Sequence, residues 1–180
     1  DAFGQVVVAR DFGEALESRL SDLPRLARYR PARFVGFADD THDGLRRVRV
    51  ETNGGERLIA ARLVVAADGT ASAVREALGI AAERHDYGQT LFVARVRAER
   101  GPDGTAWERL TDHGPTAVLP RGDGHYGTIH AVATDEADAV AALDDAAYLD
   151  RLQRAFGWRA GRLLSAGPRS AYPVARVLAE

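Results

Sequence analysis

The residues best placed for chemistry stand together at Asp68-Gly69, seven and six positions before Arg75. They close the apolar run Leu63-Val64-Val65-Ala66-Ala67 and precede Thr70-Ala71-Ser72. A run without alternation predicts a strand buried on both faces. Ser72 is placed to cap a short helix reaching about Leu78, and Gly79 supplies its left-handed stop. A carboxylate at the carboxyl end of a buried strand, beside a glycine and a helix start, lies where open α/β sheets bind ligands. The same residues also suit a plain capped corner, so ligand site and helix cap stand as alternatives here.

Other chemistry-like patterns resolve into structure. Gly122-Asp123-Gly124-His125-Tyr126-Gly127 matches G-x-G-x-x-G, but Thr128-Ile129-His130-Ala131-Val132 after it are strand formers. A phosphate loop needs a helix there, so the stretch reads as a hairpin turn. His125 and His130 are five apart in a strand and face opposite ways, and His42, His85 and His113 share no ligand spacing with a carboxylate. No metal site is expected. Asp135, Glu136 and Asp138 read as a helix N-terminus. The serines lack a nucleophile-elbow context, so no catalytic residue is assigned. Trp107, beside Glu108 and Arg109, reads as core packing at a sheet edge.

These residues need elements to hold them. Asp11-Phe12-Gly13-Glu14 resembles a capping box, and Phe12, Leu16, Leu20 and Leu23 share a helical face that Pro24 closes. Gln5 to Ala9 is strand-like. Ala32 to Ala38, Leu45 to Glu51, and Arg57 onward predict a meander punctuated by Asp43-Gly44 and Asn53-Gly54. Beyond a boundary near Tyr87 to Thr90, strands are expected at 91–97, 105–110, 116–119, 126–132 and around 170–174. Two helical pieces are expected between Asp135 and Phe156, the second showing Ala146, Leu149, Leu152 and Phe156 on one face. The fold class is α+β, a β-meander followed by a mixed β-sheet with helical cover.

Composition narrows the function. The 180 residues carry 24 basic groups, all arginine, dispersed among 26 acids, for a net charge of −2. That balance offers no nucleic-acid surface. No stretch approaches a membrane span and no signal peptide stands out. The lack of cysteine removes disulfide and thiolate chemistry and is compatible with a cytoplasmic location. With no methionine and no closing element, the chain reads as an interior fragment.

Several blocks now resemble a family. Val65 to Arg75 is similar to the Asp-Gly fingerprint of class A flavoprotein aromatic hydroxylases, the para-hydroxybenzoate hydroxylase superfamily. Asp86-Tyr87-Gly88-Gln89-Thr90, Gly104-Thr105-Ala106-Trp107-Glu108-Arg109, Ala155-Phe156-Gly157-Trp158 and Arg169-Ser170-Ala171-Tyr172-Pro173 resemble its ubiquinone-biosynthesis branch, nearest the 2-octaprenyl-6-methoxyphenol hydroxylases. The resemblance implies an α/β flavoprotein hydroxylase fragment, with residues 1–88 in the FAD-binding domain and 89–180 in the substrate domain. It implies FAD as cofactor and NAD(P)H as reductant, with a polyprenyl phenol hydroxylated through a flavin C4a-hydroperoxide. It places Asp68, Gly69 and Arg75 at the dinucleotide, Gln5 at a flavin contact, and Phe34 where a backbone meets the adenine. The family's amino-terminal glycine motif and its later Gly-Asp motif are absent, so this stretch alone is expected to be inactive. An apolar substrate tail implies contact with the inner-membrane surface or handover from other ubiquinone-biosynthesis proteins. The competing readings are an apolar-ligand or partner-binding module without catalysis, and an FAD hydroxylase of a soluble aromatic.

Overall fold

The computed structural model describes residues 4–38 and 44–180. His42, Asp43 and the phenylalanine of Phe3-Gly4-Gln5 lie outside the described residues. The chain divides into two compact units, Leu20–His85 with Arg176–Glu180, and the residues up to Arg19 with Asp86–Ala175.

The first of these units is built on an antiparallel meander, β1 (Ala32–Phe37), β2 (Arg46–Thr52) and β3 (Gly55–Ala61), in that spatial order. Alternating arginines and valines in β2 leave one polar face, as period-2 patterning requires. The Asn53-Gly54 turn is tied by Thr52, whose Oγ1 accepts from Gly54 N at 3.3 Å and donates to Gly55 O at 3.0 Å. Helix α2 (Ala73–Ala77) follows, capped by Ser72, and Gly79 takes the left-handed conformation at φ 65°.

The expected buried strand at 63–67 is not formed. No strand among the described residues pairs with it, and Leu63 and Val65 are 78% and 74% exposed. Backbone partners on both sides are what turn such a run into a buried strand, and here they are missing. The segment Gln5 to Ala9 likewise forms no strand up to Val8. Helix α1 spans Ala9–Ser21, starting earlier than the capping-box reading, because Phe12 N–H already donates to Val8 O at 3.0 Å. Asp11 therefore sits inside the first turn beside Arg10 rather than at the cap. The apolar stripe of α1 is present but exposed, and no residue of the helix is buried.

The second unit carries the core. Strand β4 (Ala82–Ala98) is 17 residues long and runs unbroken through the composition change near Tyr87 to Thr90. It joins β5 (Trp107–Thr111), β6 (Gly114–Pro120), β7 (Tyr126–Ala133) and β8 (Leu163–Ala166) in the order β5-β6-β7-β4-β8, while β9 (Ser170–Ala179) also pairs with β4. The ladders β5–β6, β6–β7, β7–β4 and β4–β8 are antiparallel. Strand β8 had no counterpart in the sequence reading.

Helices α3 (Ala137–Ala141) and α4 (Asp145–Phe156) provide the apolar cover. Asp144 caps α4 by accepting from Ala147 N at 2.8 Å, and Gly157 ends it at φ 92°. The buried face is Tyr148, Leu152, Gln153 and Phe156, whereas Ala146 is exposed and Leu149 half-buried. Leu152 and Phe156 are buried as the spacing predicts, while Tyr148 and Gln153 take the places expected of Ala146 and Leu149. Gln153 is buried because it satisfies backbone: its amide donates to Gly157 O and Gly161 O, and its Oε1 accepts from Leu163 N at 2.8 Å. Phe92, Ala94, Val96, Val132, Val140, Tyr148 and Leu152 form the main core.

Candidate functional site

The Asp68-Gly69 corner is compact and exposed. Ser72 Oγ donates to Asp68 Oδ1 at 2.5 Å, and Val74 N–H donates to Asp68 Oδ2 at 3.1 Å. Ser72 Oγ in turn accepts from Arg75 N at 3.0 Å. These bonds, led by the Ser72 hydroxyl, hold the Asp68 carboxyl below the usual carboxylate range, so it is ionised at neutral pH. Gly69 takes φ 83°, a conformation that disfavours a side chain, and the space where a Cβ would stand is open. Arg75 does not orient Asp68: its Nη2 donates to Thr70 O at 2.9 Å and fixes the loop between the two. The cap reading of this corner is therefore correct as geometry, and the carboxylate still faces solvent with unused lone pairs.

Phe34 lies on β1, opposite Val50, with its ring edge-on to Phe37 at 5.3 Å. β1 is an outer strand of the meander, so its far edge has no neighbouring strand among the described residues. Gln5 stands elsewhere. It lines a cavity of about 690 Å³ with Val6, Pro102, Ala106, Pro120 and Arg121. Thus Asp68, Gly69, Arg75 and Phe34 belong to one compact unit and Gln5 to the other.

The Gly122–Gly127 stretch is the β6–β7 hairpin, as its composition predicts, with Arg121 N–H donating to His125 O at 3.0 Å. Asp123 at its tip receives Arg121 at 3.1 Å and Arg95 at 3.4 Å. The Arg121 hydrogen bond is the main reason its carboxyl is held below the usual range.

Which strand residues face which way is settled by the ladders. Phe92, Ala94, Val96, Thr116, Val118, Thr128, His130 and Val132 point to the helix-covered face. Leu91, Val93, Arg95, Leu119 and Ile129 point to the other, where Val93 is 37% exposed. Trp107 packs on the covered side, 5.9 Å from Tyr126 and 6.1 Å from Phe156, which matches its core reading. His130 is buried on that side; its Nδ1 lies 2.9 Å from Thr116 Oγ1 and its Nε2 accepts from Arg151 Nε at 3.4 Å. Sequence reasoning placed His130 as structural but missed this network, because its members are spread over β6, β7 and α4. Register parity from a correct hairpin would have paired Thr116 with His130.

Comparison with known proteins now adds to this geometry. Residues 4–180 match a family model described as the FAD binding domain. The chain belongs to this FAD-binding family. A ubiquinone hydroxylase of Rhodospirillum rubrum is 34% identical over 94% of the chain and 38% of its own length. The Escherichia coli 3-demethoxyubiquinol 3-hydroxylase is 34% identical over 59% of the chain and 26% of its own length. Among solved structures, p-nitrophenol 4-monooxygenase of Pseudomonas putida aligns over 97% of the chain and 44% of its own, with TM-score 0.67 and 14% identity. Aklavinone-11 hydroxylase, solved with FAD and aklavinone, covers 83% of the chain and 29% of its own at TM-score 0.60 and 19% identity. The chain thus spans about two-fifths of the length of curated relatives that it matches along nearly all of its own length. The structural likeness establishes a hydroxylase fold of the FAD-binding kind, with α+β architecture and antiparallel sheets.

Proposed function

We propose that this chain supplies the Asp-Gly corner and the substrate sheet of an FAD-dependent monooxygenase that hydroxylates a polyprenyl phenol in ubiquinone biosynthesis. The observation that carries the reading is continuous similarity to a ubiquinone hydroxylase along 94% of the chain. On this reading residues 1–88 serve the cofactor and residues 89–180 the substrate. Reduced flavin activates dioxygen when bound, and NAD(P)H supplies the electrons; the protein side chains position and shelter the reactants.

The corner's donor set suits one part of FAD better than another. Asp68 is ionised and already accepts two hydrogen bonds, so its remaining lone pairs suit hydroxyl donors of a sugar or polyol. It would repel a phosphate placed directly against it. The open, bare backbone at Gly69 suits close approach by the dinucleotide. Arg75 acts by holding the Thr70 carbonyl. The outer edge of β1 at Phe34 suits backbone contact with a planar base.

For the substrate, the sheet face opposite α3 and α4 is the favourable surface. Leu91, Val93, Leu119 and Ile129 offer apolar contact to a phenol ring or its tail. Gln5, proposed as a flavin contact, shares its cavity with Arg121. No helix among the described residues is long and apolar enough to cross a membrane. Delivery of a long-tailed substrate would then fall to the membrane surface or to other proteins of the pathway.

The reading is tested with the full-length protein, NAD(P)H, labelled dioxygen and a short-chain polyprenyl phenol. Incorporation of one labelled oxygen into the ring, coupled to substrate-dependent NAD(P)H oxidation, is expected. Turnover of an unprenylated phenol with no preference for the prenylated one would transfer the reading to soluble aromatics. Failure to hold flavin at all would sink it.

A further inference from the structure

A second cavity, of about 470 Å³, opens on the opposite, helix-covered face of the sheet, between β5–β7 and α4. Its walls carry Arg109, Arg151 and Arg154 but a single carboxylate, Glu136, with Thr116 and His130 at its floor. The volume lies within the usual range of small-molecule clefts, roughly 300–1,000 Å³.

Arg109 and Arg151 are tied by hydrogen bonds, whereas the Arg154 side chain is 70% exposed. Arg151 Nη2 donates to Glu136 Oε2 at 2.6 Å, while its Nε donates to His130 Nε2 at 3.4 Å. Because an arginine only donates, His130 Nε2 must be the acceptor and the ring proton must sit on Nδ1, toward Thr116 Oγ1. Arg109 Nη1 donates to Ala155 O at 3.0 Å, near the end of α4. Arg154 pairs with Asp150 one turn earlier, outside the cavity wall. Arg109 has no carboxylate partner among the described residues. Capping α4 occupies one of its donors and leaves the rest of the fork open.

The imbalance also shows in the floor. Burial first, and the Arg151 charge second, lower the His130 pKa to about 4, with Glu136 opposing. The ring is therefore neutral at physiological pH and adds no charge, so the uncompensated charge is that of Arg109. Fixed, forked donors with surplus charge are the arrangement that recognises carboxylate or phosphate.

We propose that this cavity binds a small ligand through an oxyanion, a carboxylate or phosphate seated between Arg109, Arg151 and Arg154. The site is independent of the flavin corner, so it stands or falls separately from the proposed monooxygenase activity. The test titrates the purified full-length protein with inorganic phosphate, and separately with acetate, at constant ionic strength. Arginine Nε–H signals in 15N-resolved NMR report occupancy. Saturable shifts of the Arg109 and Arg151 signals are expected, with a dissociation constant below about 5 mM. Arg109→Gln should weaken binding at least about tenfold, and Arg33→Gln, on the meander surface, should leave it unchanged. If Arg109→Gln is poorly folded, Arg154→Gln reads the same site. Saturation by phosphate alone, or by both anions, supports the site and separates phosphate ligands from oxyanions generally. Linear, unsaturated shifts, or equal affinity in wild type and both variants, would overturn it.

Discussion

Leu152 and Leu63 are the same residue in opposite circumstances. Leu152 is wholly buried among Phe92, Tyr148 and Val140, whereas Leu63 is 78% exposed in a run without strand partners. The contrast extends to the units that contain them. The six-stranded sheet has its own helical cover and nearly all of the buried core, while the meander and the Asp68 corner bury little beyond Ser72 and Val74. The part proposed to hold substrate is thus self-packed, and the part proposed to hold cofactor is fastened by ladders, turns and caps. A region stabilised that way responds strongly to whatever binds it.

The largest effect expected from this contrast is in the core. Leu152→Ala should destabilise by about 3–5 kcal/mol in urea unfolding, from lost burial and a residual cavity. Leu63→Ala should change stability by less than about 0.5 kcal/mol. A comparable loss for Leu63 would show that this run is covered in the working protein, which would break the comparison.

Next is the pH dependence of the sheet unit. The folded-state pKa of His130, about 4, lies below its ordinary 6.5. The unfolded chain therefore takes up the proton first, and stability present above pH 6.5 declines as pH falls toward 4. The loss reaches up to roughly 3 kcal/mol for one buried histidine. Comparing wild type with His130→Asn by urea unfolding across this window should show a flatter profile in the variant.

The two units also differ in how their polar groups are satisfied. Gln153→Leu should cost about 2 kcal/mol, because it strands buried backbone groups at Gly157, Gly161 and Leu163. Ser72→Ala removes the cap of α2 together with the hydroxyl that donates to Asp68, and should cost about 1 kcal/mol. Thermal unfolding of each variant orders the two.

The smallest expected effect is at Asp68. Its lowered pKa means that its contribution is complete above the ordinary carboxylate range and is lost as pH falls through the lowered value. Thermal unfolding scanned to low pH should show Asp68→Asn losing less stability on acidification than wild type.

How far these elements were legible in the sequence follows the same divide. The meander, the α4 boundaries at Asp144 and Gly157, and the β6–β7 hairpin could be read because turn and cap residues act locally. Ser72 and Gly79 were readable for the same reason. The strand at 63–67 was misplaced because burial depends on neighbours that no local pattern encodes. The α4 face was misjudged because Gln153 is buried for its hydrogen bonds, not its apolarity. The Arg109, Arg151 and His130 cluster was invisible because its members meet only once β5, β7 and α4 have packed.

The most direct test of the cofactor corner compares two variants that break the same cap. Asp68→Ala and Ser72→Ala each remove one side of the Ser72–Asp68 hydrogen bond, yet only Asp68 faces solvent with lone pairs to spare. Flavin content per protein, measured by absorbance after purification of the full-length forms, separates the two roles. The account predicts marked flavin loss in Asp68→Ala and near wild-type content in Ser72→Ala. Wild-type flavin content in Asp68→Ala, or equal loss in both, would show that Asp68 does no more than cap α2.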